Sequence, residues 1–289
     1  MSITHETVRR VAATIYERSL KKVPEDTKEA LKKALCTETC QTGKETLGLM
    51  LKSAEAAEKT DWLLCSDSGV PVYFIKIGTK ARIETDLKEA VALGFADLVN
   101  TIEPPILPHI TNPLTLERTH SGKDVPIISF DVQPDADYIE LTCSPKGLGS
   151  GRWANLKIFS FPSIETIESY IIDCVINAGS QPCPPVIIGV GIGGTFDYAA
   201  KMAKDAMLEP IGKENTDPFL LDLEKKLLTA INKLGIGPMG TGGDITALSI
   251  RIKYASGHGF VPVAVCFNCW PNRRLSARVY NNGHIEYFE

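Results

Sequence analysis

Three cysteines, Cys65, Cys183 and Cys269, concentrate the chemistry this sequence could perform. Cys65 opens CSDSG, a turn that offers backbone N–H groups and one carboxylate, Asp67. Cys183 is wedged between prolines in QPCPP, and Cys269 closes VPVAVCFNC just before the polar WPNRR. All three fall at expected strand–loop boundaries, where side chains from distant segments can converge over one end of a sheet. Zinc ribbons and ferredoxins draw their thiolates from compact local motifs, which these widely separated positions do not resemble. Three thiolates from three loops would leave a fourth metal position open, as catalysis requires; with a water, they would equally describe a zinc site. The other five differ. Cys36 and Cys40 lie at a helix end, Cys143 and Cys174 lie inside apolar elements, and Cys266 lies within a strand as the expected nearest neighbour of the site.

A second signal overlaps the first. Gly189, Gly191 and Gly194 spell G-x-G-x-x-G behind an apolar run, as a dinucleotide-binding turn does. That reading needs a second strand ending in an acidic residue about 20 positions on. Here the chain continues TFDYAAKMAKDAMLEPIGKENTDP, a helix and then a polar loop, so the motif fails its context test. His120, Ser121 and Asp124 form a local run without the spatial convergence that a catalytic triad needs, and a loop role is preferred.

The elements that must position these residues read as follows. Ile3, Val8, Val11, Ile15 and Leu20 keep a helical stripe behind caps at Ser2 or Thr4, and PEDTKEALKKAL and KETLGLMLKSAEAAEK supply two more helices. DWLLCS and PVYFIKIG read as strands, followed by a helix over 86–99 and a long Pro-rich connection. PIISFDV and YIELTCS read as a strand pair, with a helix over 163–178 behind them. The QPCPP stretch predicts a strand and then a helix from about Thr195, and DPFLLDLEKKLLTAINKL predicts another helix. The rest is strand-rich, with Asn282-Gly283 as a hairpin turn. The expected architecture is α/β: a helical N-terminal part, about 1–60, packed on a mixed β-sheet region, about 61–289, in one domain with the cysteine loops at one sheet end. The chain has 289 residues, 44% apolar and 23% charged, with a net charge of −4. That balance gives no general pull toward nucleic acid or membrane. The N-terminus lacks a signal-peptide core, so a cytoplasmic location is expected, and there a disulfide framework is not.

CSDSG, SPKGLGSG, QPCPPVIIGVGIGG, GIGPMGTGGDITAL and VPVAVCFNCWPNRR occur in the order found in iron–sulfur hydro-lyases. Across nearly its whole length the sequence resembles the α subunit, or N-terminal half, of class I fumarases and L-tartrate dehydratases. The resemblance implies that Cys65, Cys183 and Cys269 hold a [4Fe–4S] cluster whose open iron binds the hydroxyl and a carboxylate of a small hydroxy-carboxylate. It implies Asp67 near that iron, polarising substrate or bound water, with a plain Asx-turn role as the alternative. Ser66, Lys146, Gly147, Gly149 and Arg273 are the candidate substrate contacts: Lys146 could face an anion beside the glycine N–H groups, and strand alternation points only one of Arg273 and Arg274 toward the site. The resemblance also implies a β-type partner subunit supplying the catalytic base, and a homodimer through this half.

The sequence departs from the family pattern at several of these places. Ser66 and Ser68 stand where glutamine and threonine are usual. Glu103 stands for an arginine, Asp244 for a lysine and Gly257 for a histidine, with His258 one step late; Gly-Ser-Gly-Arg at 149–152 replaces Gly-Ser-Glu-Asn. The cluster ligands are kept while the expected substrate surroundings change. These changes predict either a hydro-lyase of shifted substrate, with less negative charge than fumarate, or a non-catalytic cluster- or zinc-binding paralogue.

Overall fold

The computed structural model describes residues 2–289. In chain order the elements are α1 (His5–Lys21), α2 (Glu25–Thr37), α3 (Gln41–Thr60), β1 (Val72–Gly78), α4 (Leu87–Thr101), β2 (Ile110–Thr111), β3 (Arg118–Thr119), β4 (Ile127–Gln133) and β5 (Tyr138–Cys143). Next come α5 (Leu148–Arg152), β6 (Asn155–Ser160), α6 (Ile164–Ala178), β7 (Val186–Gly193), α7 (Phe196–Met207) and α8 (Pro218–Asn232). A short 3-10 turn at Pro238–Gly240 precedes β8 (Ala247–Ala255), β9 (Phe260–Asn268), β10 (Leu275–Tyr280) and β11 (Ile285–Phe288). Side-chain caps set several starts: Thr4, Asp86, Ser163 and Asp217 each accept from backbone N–H groups of the first turn. The class is α/β with mixed sheets, as expected. Among the described residues no helix is long and apolar enough to cross a membrane.

Contacts gather the chain into two compact units, each built from separate stretches, and the division does not follow a boundary near residue 60. The first unit takes the chain up to Pro24, then Ala54–Gly147 and Arg273–Glu289. Its sheet has the order β11-β10-β5-β1-β4. β1 runs parallel to β4 and antiparallel to β5, and β5 is antiparallel to β10. The apolar stripe of α1 (Val8, Val11, Ile15, Leu20) packs with Val91, Phe95 and Leu98 of α4 over Tyr73, Ile75, Ile139, Leu141 and Val279. A side chain at Gly94 would collide with the Arg9 carbonyl, so glycine permits the close crossing of α4 over α1.

Two strand expectations fail here. β4 and β5 do not pair with each other, because β1 lies between them. The link between them crosses the end of β1 at Gly78, where any side chain would strike the Ala136 and Tyr138 carbonyls. DWLLCS is not a strand: Leu64 N–H bonds the Leu20 carbonyl at 2.9 Å, Leu63 and Leu64 dock against the core, and Trp62 stays 64% exposed. The apolar run is an anchor beside α1, and Cys65 follows it in an irregular loop.

The second unit comprises Glu25–Ser53 and Leu148–Asn272. Its sheet has the order β6-β9-β7-β8, with β7 parallel to β8 and antiparallel to β9. One face of β7, Val186, Ile188 and Val190, packs with Ile171 and Val175 of α6 and Leu223, Leu227 and Ile231 of α8. Its other face presents Gly189 and Gly191 to α7. A Cβ at either would run into the carbonyl of Ala203 or Ala199, so these glycines let the helix lie directly on the strand. Cys266 is buried under the same helix, its sulfur 3.7 Å from that of Met207. It is a packing residue there.

Two outcomes test this packing. Gly191→Ala should cost roughly 1–3 kcal/mol of stability, because the added methyl must push α7 off the sheet; urea unfolding measures it. Glu209 supplies the second. Burial opposes its ionisation, but bonds from Lys213 (2.8 Å) and Lys253 (3.0 Å) outweigh that and hold its pKa below the ordinary 4.5. A carboxylate depressed on folding stabilises above its unfolded pKa and loses that contribution as pH falls through the folded value. Glu209→Gln should therefore lower the urea midpoint at neutral pH, and the deficit should fade as pH drops below 4.5.

Candidate functional site

Strand polarity gathers the loops of the first unit. β1 begins where β5 ends (Tyr73 opposite Cys143), and β10 begins opposite the same residue, at Leu275. β4, parallel to β1, also begins at this end. The residues before β1 (Cys65–Gly69), after β5 (Lys146, Gly147), before β10 (Arg273) and before β4 (the long connection) therefore share one sheet end.

Their contacts are specific. Val70 and Lys146 exchange both backbone hydrogen bonds, at 3.0 and 2.9 Å, latching CSDSG to the Lys146 loop. Asp67 Oδ1 accepts from Gly69 N–H at 2.9 Å, so the aspartate does form an Asx turn. The Arg273 guanidinium, 4% exposed, donates to the Asp67 carbonyl at 2.7 Å, and Ser144 Oγ donates to the Arg273 carbonyl at 3.1 Å. A Cβ on Gly147 would lie 3.0 Å from Asp67 Oδ2 and 3.3 Å from an Arg273 nitrogen. Asp67, Gly147 and Arg273 thus meet at one point. Arg274 turns elsewhere, into a separate cavity with Glu17, Lys21 and Glu289, in line with the expected alternation. Tyr16, fully buried, donates to the Gly69 carbonyl at 3.3 Å; burial holds its phenol well above the ordinary pKa, so it stays a donor.

Sequence reasoning missed His109, from the Pro-rich connection. Its Nε2 lies 2.9 Å from the Ser66 carbonyl and 4.0 Å from Asp67 Oδ1. A histidine inside a long connection was the only signal available. In the same connection Ser121 N–H bonds Thr119 Oγ1 at 3.3 Å, a local turn contact.

The second unit applies the same topology. Cys183 precedes β7 and Cys269 follows β9; since Ile187 pairs with Asn268, both cysteines stand at one end of that sheet. Trp270 N–H donates to the Cys183 carbonyl at 3.1 Å, tying the two loops directly. Cys183 adopts a left-handed conformation (φ 56°), uncommon for a residue with a side chain. A side chain at Gly149 would strike the Gln181 carbonyl, so this glycine lets α5 lie against the Cys183 loop. Asn272 is fully buried: it donates to Thr27 at 3.0 Å and accepts from Asn268 at 3.0 Å.

Buried Glu38 organises the glycine-rich GTGGD loop, accepting N–H bonds from Cys40 (3.0 Å), Asp244 (2.9 Å) and Ile245 (3.1 Å). Gly243, at φ 129°, leaves room for that carboxylate. Asp244 is itself engaged: Oδ2 accepts from Thr39 Oγ1 at 2.6 Å and Thr39 N–H at 2.9 Å, and these bonds hold its pKa below the ordinary value. Glu103 is exposed on its loop, and His258 stacks on Phe260 with ring centroids 5.8 Å apart.

All eight cysteines are thiols. Cys143 and Cys174 are buried, and burial raises their pKa, so they remain protonated packing residues. Cys65 is exposed, and Cys183 and Cys269 are half-buried. Accessible thiols on loops suit soft-metal or iron–sulfur ligation. Among the described residues no three His, Cys, Asp or Glu side chains are grouped as ligands of a single metal ion.

The profile of the fumarate hydratase (Fumerase) family matches residues 9–278. The chain is 39% identical over 281 residues to the "Putative L(+)-tartrate dehydratase subunit alpha" of Methanocaldococcus jannaschii, covering 93% of this chain and 96% of that one. It is 28% identical over 268 residues to the L(+)-tartrate dehydratase subunit alpha of Escherichia coli K12, covering 90% of this chain and 86% of that one. A family match over most of the sequence and a relative aligned nearly end to end agree with the motif order, and the chain belongs to the fumarate hydratase family.

Proposed function

We propose that this hydro-lyase chain is the α subunit of a [4Fe–4S]-dependent enzyme that removes water from, or adds it to, a small hydroxy-carboxylate, working with a β-type partner. The observation that carries the reading is the Trp270–Cys183 hydrogen bond, which brings two of the three proposed ligand loops together at a sheet end. Cys65, two residues before Asp67 on its own latched turn, is the proposed third ligand. Three accessible thiolates fit the donor chemistry of such a cluster, which spreads its ligands over separate irons. Zinc held by the same three thiolates and a water is the second reading.

A bound cluster would supply a Lewis-acidic iron to take up the substrate hydroxyl and a neighbouring carboxylate. The chain's own residues would do the rest of the binding. Asp67, oriented by Gly69 N–H, would direct its outer oxygen toward substrate or water. Gly147, lacking a side chain, would admit substrate close to that carboxylate, with Ser66 and Lys146 at the rim. Arg273 would contribute positive charge while bracing the Asp67 backbone, and Gly149 would act by keeping α5 against the Cys183 loop. Asp244 stays an anion while bonded to Thr39, and Glu103 is a second exposed carboxylate; either would disfavour a dianion near it. The names of the relatives make L-tartrate the first substrate to assay and imply the separate partner subunit; tartrate carries the same double charge as fumarate, so Glu103 would weaken the binding of both. This subunit would also pair with its own copy, in the cytoplasm.

Anaerobic reconstitution should give a brown protein with about four irons per chain. Cys65→Ser, Cys183→Ser and Cys269→Ser should each lose the colour, while Cys36→Ser and Cys174→Ser keep it. A colourless protein retaining one zinc would favour the second reading. Reconstituted chain and β-type partner together should dehydrate L-tartrate, and the chain alone should not. Turnover of fumarate, and of tartrate as the other dianion, should be weaker than that of a less charged hydroxy acid, and Glu103→Arg should strengthen both; equal turnover in wild type and variant would remove Glu103 from the substrate's surroundings.

A further inference from the structure

We propose that His109 is the positioning residue of the Cys65–Asp67 turn, an inference that rests on the function proposed above. The Ser66 carbonyl can only accept, so the 2.9 Å contact requires the proton on His109 Nε2. The same nitrogen faces Asp67 Oδ1 at 4.0 Å. One edge of the imidazole therefore addresses both the backbone before Asp67 and the carboxylate itself.

Two consecutive carbonyls of the turn are held from different segments. His109 holds that of Ser66, and Arg273 holds that of Asp67. A peptide plane fixes its carbonyl and its N–H together, so these two bonds hold the planes on either side of Asp67 and set the direction in which its side chain leaves the turn. Arg273 comes from the start of β10 and was visible in the sequence; His109 comes from a connection with only the two-residue pair β2–β3 of its own. The space beside the imidazole, bounded by Tyr16, Ser68, Gly69 and Ile106, amounts to about 10 Å³. That is at the lower limit for a single water, so the imidazole packs closely against these residues. The connection's function is thus to carry this imidazole to the turn.

The test uses the chain reconstituted with cluster and β-type partner. His109→Leu removes the donor, while His109→Gln keeps an N–H at about the reach of Nε2. Misplacement of a reacting group by about 1 Å costs on the order of 100-fold. His109→Leu should therefore lower kcat by roughly 10–100-fold with KM little changed, and His109→Gln should recover most of it. A second measurement needs no activity. In the cluster-free chain, amide hydrogen exchange over 65–69 should be faster in His109→Leu than in wild type or His109→Gln, with β9 amides unchanged as the folding control. If His109→Leu does not fold, His109→Asn, whose amide falls short of the Ser66 carbonyl, serves both measurements. Wild-type exchange over 65–69 in the donor-less variant overturns the proposal, as does unchanged kcat. If exchange responds but the wild-type assembly dehydrates no hydroxy acid, the positioning role stands and the functional reading fails.

Discussion

The polarity of β1 decides which residues of the first unit can meet. Antiparallel to β5 and parallel to β4, it brings the segments before β1, before β4, before β10 and after β5 to a single edge. Reversing any of these pairings would send one loop to the far end of a strand some 20 Å long. Asp67, Gly147, Arg273 and His109 come from four distant stretches, and only this pairing pattern gives them a common address. The latch between Val70 and Lys146 then sets the register locally.

The second unit repeats the solution with different means. Its loops before β7, before β8 and after β9 also share one edge, but backbone conformations there are held by buried polar groups. Glu38 gathers three N–H groups that would otherwise be costly to leave unmade. Asn272 does the same for the end of β9 through Asn268 and Thr27. Each network fixes a glycine-rich or proline-rich loop that has little packing of its own.

Much of this was legible in the sequence, for identifiable reasons. The helices announce themselves by period and caps, as with Thr4 and Asp217, and the Asn282-Gly283 hairpin by its turn residues. The motif blocks gave the cysteines and the Asp67 turn, because loops that need special backbone carry glycine and proline. What was hidden is non-local. Nothing in PIISFDV or YIELTCS states that a third strand separates them, and an apolar run such as DWLLCS reads alike whether it joins a ladder or anchors beside a helix. That Asp244 is held by Thr39, over two hundred residues away, is stated by no local pattern. His109 had no motif around it; only the folded connection reveals its neighbour.

The interleaving of the two units has a temporal consequence. β10 sits in the first sheet beside β5, yet the whole sheet of the second unit is translated between them. During synthesis the Asp67 turn must therefore wait, without Arg273, until more than a hundred further residues have emerged. Contacts of such long sequence separation are slow to form, and unpaired strand edges invite wrong partners meanwhile. The exposed edge of β5 is the one left open. A ribosome-bound chain of this protein thus carries that open edge until β10 arrives, and its thiol-bearing turn matures among the last parts of the molecule.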